Sequence, residues 1–261
     1  MFSNTARKIP VIYSDKYYVE IGDHVFPTSK YRLLKKRLDS DSSLKNKFEI
    51  LSPEPAKDEE VLTVHTKEYI DKLKNGTLSP EEIFKMELPY SRELAESAFF
   101  TCGGTITAAR QAFEKKAAVH LGGGFHHAFP DHGEGFCVLN DVAVGIRTLQ
   151  KEGAVKKALV VDCDLHHGNG TAFTFKDDPK VYTFSIHQEN NYPLIKPKSD
   201  MDIGLRDWTG DKVYLQHLHD NIPKIISTFK PNFILYVAGA DPYEQDQLGN
   251  LRLTKKGLRD R

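Results

Sequence analysis

The sequence predicts an α/β fold, a three-layer arrangement in which a mostly parallel sheet carries helices on both faces. Two observations lead there. Short apolar runs at 117–121, 158–161, 180–186 and 232–238 alternate with longer segments of helical periodicity, and that alternation is the grammar of crossover units feeding a parallel sheet. In addition, each of these runs is followed by polar or glycine residues rather than by a tight hairpin turn, and in open parallel sheets ligands gather outside those strand ends.

Taken in order, residues 9–13 are a short strand followed by the turn-like Ser14-Asp15. Residues 28–38 form a helix capped by Thr28 or Ser29, with Tyr31, Leu34 and Leu38 on one face and Arg32, Lys35, Lys36 and Arg37 toward water. Residues 48–55 are extended and punctuated by proline, and a helix over 66–74 ends at Asn75-Gly76. Ser79-Pro80-Glu81-Glu82 supplies a cap, a proline and an acidic first turn to a third, short helix. A long helical pattern over 92–116 is interrupted at Gly103-Gly104, where small residues let a neighbouring element approach closely. The strand at 117–121 empties into Gly122-Gly123-Gly124, and a helix over 139–151 is closed by Gly153. A helix over 211–229 contains Pro223, the place for a kink, and leads to the last strand.

A chain of 261 residues without an internal linker or repeat reads as one domain, 1–261. Lysine plus arginine equals aspartate plus glutamate at 36 each, so no global field favours nucleic acid or an anionic membrane. The three cysteines, Cys102, Cys137 and Cys163, include no C-x-x-C pair, which argues for a reducing, cytoplasmic compartment. No apolar signal core opens the chain, and no apolar run would cross a bilayer.

The chemistry concentrates at Leu159-Val-Val-Asp-Cys-Asp-Leu-His-His-Gly168. On an extended chain, side chains alternate, so Asp162, Asp164 and His166 project to one side while Cys163 and Leu165 face the core. Two buried carboxylates need a cation between them, and a carboxylate-imidazole set suits a zinc-type ion with one position left open. The alternative is a strand end whose acids and histidines are merely hydrogen-bonded. Three further strand ends carry the same residue types, namely His126-His127, Ser185 with His187, and Asp241, and that recurrence favours the metal.

His120-Leu-Gly-Gly-Gly-Phe-His-His-Ala128, Gly135-Phe-Cys-Val-Leu-Asn-Asp141, Asp162-Cys-Asp-Leu-His-His-Gly-Asn-Gly170 and Ala238-Gly-Ala-Asp241 resemble the signature series of the histone deacetylase family. The segments His24-Val-Phe-Pro-Thr-Ser-Lys-Tyr-Arg-Leu-Leu34 and Ser199-Asp-Met-Asp-Ile-Gly204 are similar to its class IV and bacterial deacetylase-like branch. The resemblance implies an arginase/deacetylase fold and a zinc-dependent amidohydrolase acting on the acylated lysine of a protein or on a small acylated amine. It implies Asp164, His166 and Asp241 as zinc ligands, with iron as the alternative metal. His126 and His127 become the paired catalytic histidines, Asp162 the carboxylate that orients His126, and Asn169 the residue behind His127. A structural potassium site would use Asp162, Asp164, His166 and Ser185, while Gly135, Phe136 and Tyr192 line the acyl-lysine channel.

Two departures from the pattern stand out. Asn169 replaces an aspartate found in many relatives, and a neutral amide stabilises an imidazolium less well, so His127 is expected to stay neutral more easily. The family's transition-state tyrosine follows a Gly-Gly motif one strand beyond the last ligand, and no such motif follows Asp241 here, which implies reduced turnover, a C-terminally truncated domain lacking its last strand and helix, and an open sheet edge able to take a partner or a second copy. A non-catalytic acyl-lysine-binding or interaction module is the alternative reading. A two-manganese ureohydrolase would need more acidic ligands than the chain offers.

Overall fold

The computed structural model describes residues 8–44 and 46–261. The polar start, residues 1–7, lies outside the described residues. The chain divides into two compact units, one ending at Glu152 and the other Gly153–Arg261. Among the described residues no helix is long and apolar enough to cross a membrane.

The first unit runs β1 (Ile9–Ile12), α1 (Lys30–Ser40), β2 (Phe48–Leu51), α2 (Asp58–Val61), α3 (Lys67–Asn75), α4 (Pro80–Met86), α5 (Arg92–Lys115), β3 (Val119–His120) and α6 (Asp141–Lys151). Its sheet has the order β2-β1-β3 and every pairing is parallel, with Ile12 level with Leu51 and His120. The caps behave as their chemistry dictates. Thr66 Oγ1 accepts the N–H of Tyr69, Gly76 ends α3 in the left-handed region, and Ser79 and Glu82 form a reciprocal capping box at α4.

Two expectations need correcting here. Gly103-Gly104 does not interrupt α5, which runs unbroken for 24 residues; a β-carbon at Gly103 would overlap the Glu54 carbonyl, and one at Gly104 would overlap His120 and the Tyr17 hydroxyl. The glycines are there for close approach, not for a break. Leu34 is not a core residue either. It is 47% exposed, and α1 buries only Tyr31.

The second unit runs β4 (Ala158–Asp162), α7 (Asn169–Phe175), β5 (Val181–Gln188), β6 (Met201–Leu205), α8 (Asp211–Phe229), β7 (Phe233–Val237) and α9 (Lys255–Asp260). Its sheet has the order β6-β5-β4-β7, again all parallel. Each residue of β4 is buried, as a strand paired on both sides requires, and Leu159, Val161, Cys163, Leu165, Phe184 and Tyr214 lie in its core. Register sets the site. Asp162 is level with Ser185 on one side and Val237 on the other, so the segments leaving β4 and β7 emerge together at the carboxyl end of the sheet.

Candidate metal centre and histidine loop

In the second unit, Asp164, His166 and Asp241 each offer one ligand atom, and these atoms lie within 4.8 Å of one another. β4 has already ended at Asp162, so strand alternation does not hold this cluster. A chain of backbone-to-carboxylate bonds does: Asp162 Oδ1 accepts the Asp164 N–H at 3.1 Å, Asp164 Oδ1 accepts the His166 N–H at 2.9 Å, and Asp241 Oδ1 accepts the Leu165 N–H at 3.0 Å. Cys163 and Leu165 are fully buried on the opposite side, as the sequence predicts. Gly239 is required beside this turn, since a β-carbon there would overlap the Asp164 carboxylate.

The electrostatics ask for a cation. His166 Nδ1 lies 3.1 Å from Asp164 Oδ1 and 3.2 Å from Asp241 Oδ2. Burial works against a charged imidazole, yet the two carboxylates outweigh it and raise His166 to about 10. Burial, reinforced by the Asp164 charge, lifts Asp241 to about 6 against the pull of His166 and the Leu165 N–H. Two carboxylate oxygens and one imidazole nitrogen form a donor set that fits a zinc-type ion.

Further polar contacts surround this cluster, and among them His167, Asp202 and Arg261 had no role in the sequence analysis. Ser185 Oγ is 2.9 Å from His187 Nδ1, and the His187 ring meets the fully buried His167 ring edge-on at 4.8 Å. His167 Nε2 in turn lies 3.0 Å from Asp202 Oδ1 on β6. Arg261 donates to the carbonyl oxygens of Cys163, at 2.8 Å, and of Gly239, tying together the two turns that carry the ligands. Tyr192 presents its ring edge-on to His166, with centroids 6.2 Å apart. Asn169 opens α7 and is buried, its N–H donating to the His167 carbonyl at 2.8 Å.

In the first unit, His126 and His127 are both buried, with ring centroids 4.1 Å apart. They sit in an irregular loop between β3 and α6, and the start of α6 clamps that loop on both sides. Asp141 Oδ1 accepts the N–H groups of Phe125 at 2.7 Å and Gly124 at 3.1 Å, while Asn140 Nδ2 donates to the Ala128 carbonyl at 3.1 Å. Behind the clamp, His65 Nε2 accepts the Asn140 N–H at 3.0 Å. Burial pulls His65 down to about 4, so its ring stays neutral and able to accept. Thr105 Oγ1 links Asp141 to His120 Nδ1, and His120 is likewise pulled down to about 3 by burial. Asn140 and Asp141 fell within the motif read from the sequence without acquiring a function; an amide and an acid beginning a helix just after a paired-histidine loop were the available signal.

Gly135 and Phe136 both have positive φ, 51° and 65°. For phenylalanine that backbone is strained, and it is held by N–H bonds from Gly135 to the Lys85 carbonyl at 3.2 Å and from Phe136 to the Met86 carbonyl at 3.0 Å. Phe136 also lines an apolar cavity with Phe125, Tyr17, Tyr31 and Leu139. Asp131, His132 and Glu134 make a small polar cluster, with His132 Nδ1 2.7 Å from Asp131 and Nε2 3.4 Å from Glu134.

Known proteins are similar to the chain over most of its length. An uncharacterised protein of Picosynechococcus is 40% identical over 95% of this chain and 83% of its own length. The acetoin utilization protein AcuC of Bacillus subtilis is 33% identical over 93% of this chain and 68% of its own, and histone deacetylase 2 of Arabidopsis thaliana is 28% identical over 100% and 70%. The crystal structure of the HDA15 HD domain superposes with a TM-score of 0.80 at 23% identity, covering 97% of this chain and 77% of that one, so the arginase/deacetylase α/β fold is shared. The histone deacetylase domain model matches residues 24–261. With nine-tenths of its length inside that domain model and the same fold, the chain belongs to the histone deacetylase family.

Proposed function

We propose that the chain acts as one zinc-dependent deacetylase-like domain, an amidohydrolase that removes acetyl or other acyl groups from lysine side chains of proteins or from small acylated amines. The observation that carries this reading is the convergence of Asp164, His166 and Asp241, whose ligand atoms lie within 4.8 Å of one another. Zinc, or iron in its place, would be held by these three residues and would supply Lewis acidity toward an amide carbonyl and a lowered pKa for water.

With two anionic ligands the centre is a weaker acid than one held by three imidazoles, so the protein must move protons itself. Imidazole is the side chain that does so near neutral pH, and His126 and His127 are assigned the acid and base roles. The backbone of their loop is held on both sides by Asn140 and Asp141. Asp162 and Asn169 are assigned as their polar partners. Gly135, Phe136 and Tyr192 are assigned to the channel, where flat walls restrict the flexible lysine stem at little entropic cost. A structural potassium ion is assigned to Asp162, Asp164, His166 and Ser185, of which Asp162 and Ser185 are level across adjacent strands.

The test is metal analysis together with hydrolysis of an acetyl-lysine reporter. One zinc per chain with release of acetate is the expected result. Stoichiometric metal and reporter binding without any acetate would support a non-catalytic acyl-lysine-binding module instead.

A further inference from the structure

Among the described residues, the two most exposed large aliphatic side chains are neighbours in sequence and follow closely on Tyr192. Leu194 is 96% exposed and Ile195 79% exposed, two and three residues beyond Tyr192, whose ring makes a T-shaped contact with that of His166. A slack loop would account for such exposure, but this one is braced. Asn191 Nδ2 donates to Gln188 Oε1 at 3.1 Å and to the Leu248 carbonyl at 3.0 Å, and Asn191 Oδ1 accepts the Tyr192 N–H at 2.7 Å. The Lys196 ammonium closes the turn from inside, donating to the carbonyls of Asn191 at 2.7 Å and Pro193 at 2.6 Å, and Pro193 itself is buried. The base of the loop is therefore fixed while its apolar tip stands in water. A contiguous apolar projection of this kind costs free energy unless something covers it during function.

We propose that Leu194 and Ile195 form an apolar platform at the mouth of the site, selecting carriers in which the acylated lysine has an apolar side chain next to it. The natural substrate class is then a peptide or protein segment rather than a free acylated amine. This rests on the deacylase reading above, and it names the carrier that reading left open. Continuity favours a substrate as the occupant: the platform adjoins Tyr192, which adjoins a ligand residue. Charge offers a lipid surface little, since of the two lysines that follow the tip Lys196 is turned inward onto two carbonyls and Lys198 alone is exposed.

The experiment compares two acetyl-lysine peptides, identical except for leucine or serine on both sides of the acetyl-lysine, by kcat/KM and by fluorescence anisotropy, on zinc-loaded wild-type protein and on Leu194→Ser/Ile195→Ser. Wild type should prefer the leucine-flanked peptide by at least about tenfold, mainly through KM, and the double variant should bring that ratio close to one. Equal use of both peptides by wild type, or an unchanged ratio in the variant, overturns the platform. Binding of wild type, but not of the variant, to vesicles containing phosphatidylserine, with no peptide preference, overturns it in favour of a membrane contact. Flank-dependent binding without acetate release keeps the platform and refutes the hydrolase reading; acetate release without flank dependence does the reverse.

Discussion

His166 holds the electrostatic logic of the site. Its folded pKa of about 10 lies above the ordinary value of 6.5, so in metal-free protein the protonated ring stabilises the fold fully below pH 6.5, and that contribution is lost as pH rises through about 10. A metal needs the same Nδ1 without its proton. Zinc uptake between pH 7 and 9 should therefore release about one proton per ion, and affinity should strengthen with pH. Calorimetry in two buffers of different ionisation enthalpy measures the release; heats that do not depend on the buffer would contradict the assignment. Asp202 supports a second prediction at this scale. It anchors the His167 ring on β6, immediately after a ligand residue in a turn no longer held by strand pairing. Asp202→Asn should weaken zinc binding roughly tenfold by chelator competition, while Asp200→Asn, which loses only bonds to Thr183, should leave it unchanged. Equal losses in both variants would reduce Asp202 to a general stabiliser of the edge strand. Asp164 and His166 could be read from the sequence because their spacing is local. The Asp202–His167 contact could not, since it joins residues 35 apart across two strands.

At the scale of elements, the sequence made the caps and the glycine-rich approaches legible and the edge strand illegible. Thr66, Ser79 and Gly76 act where local chemistry puts them, because a cap needs only its own turn. β6 escaped the reading because Met201-Asp-Ile-Gly-Leu205 holds an aspartate and a glycine that weaken strand propensity. What fixes it is tertiary, namely pairing with β5 and the side-chain bonds of Asp200 and Asp202. α1 shows the opposite error: a helical apolar stripe is present, but too little of the fold lies against it to bury Leu34. Helix α5 gives the sharpest stability prediction. Gly103→Ala drives a methyl group into the Glu54 carbonyl and should cost about 3 kcal/mol or more. Gly153→Ala, which meets nothing within 4 Å but has a φ of 76°, should cost only about 1 kcal/mol. Urea denaturation of the two variants decides it, and a smaller loss at Gly103 would mean that the segment after β2 yields readily.

For the whole molecule, the α/β class followed from alternating apolar runs and helical segments, and both sheets are parallel throughout. Balanced charge left recognition to local features, and the metal cluster, the clamped histidine loop and the apolar platform are all of that kind. The central claim is that three ligand residues bind the ion while the histidine pair moves protons, two tasks that substitution can separate. The deciding measurement is zinc content alongside acetate release for wild type, Asp241→Asn and His127→Gln. Asp241→Asn should lose zinc and turnover together. His127→Gln should keep one zinc per chain and lose roughly 10²- to 10⁴-fold in rate. Full turnover by a zinc-free Asp241→Asn protein, or by His127→Gln, would contradict the account.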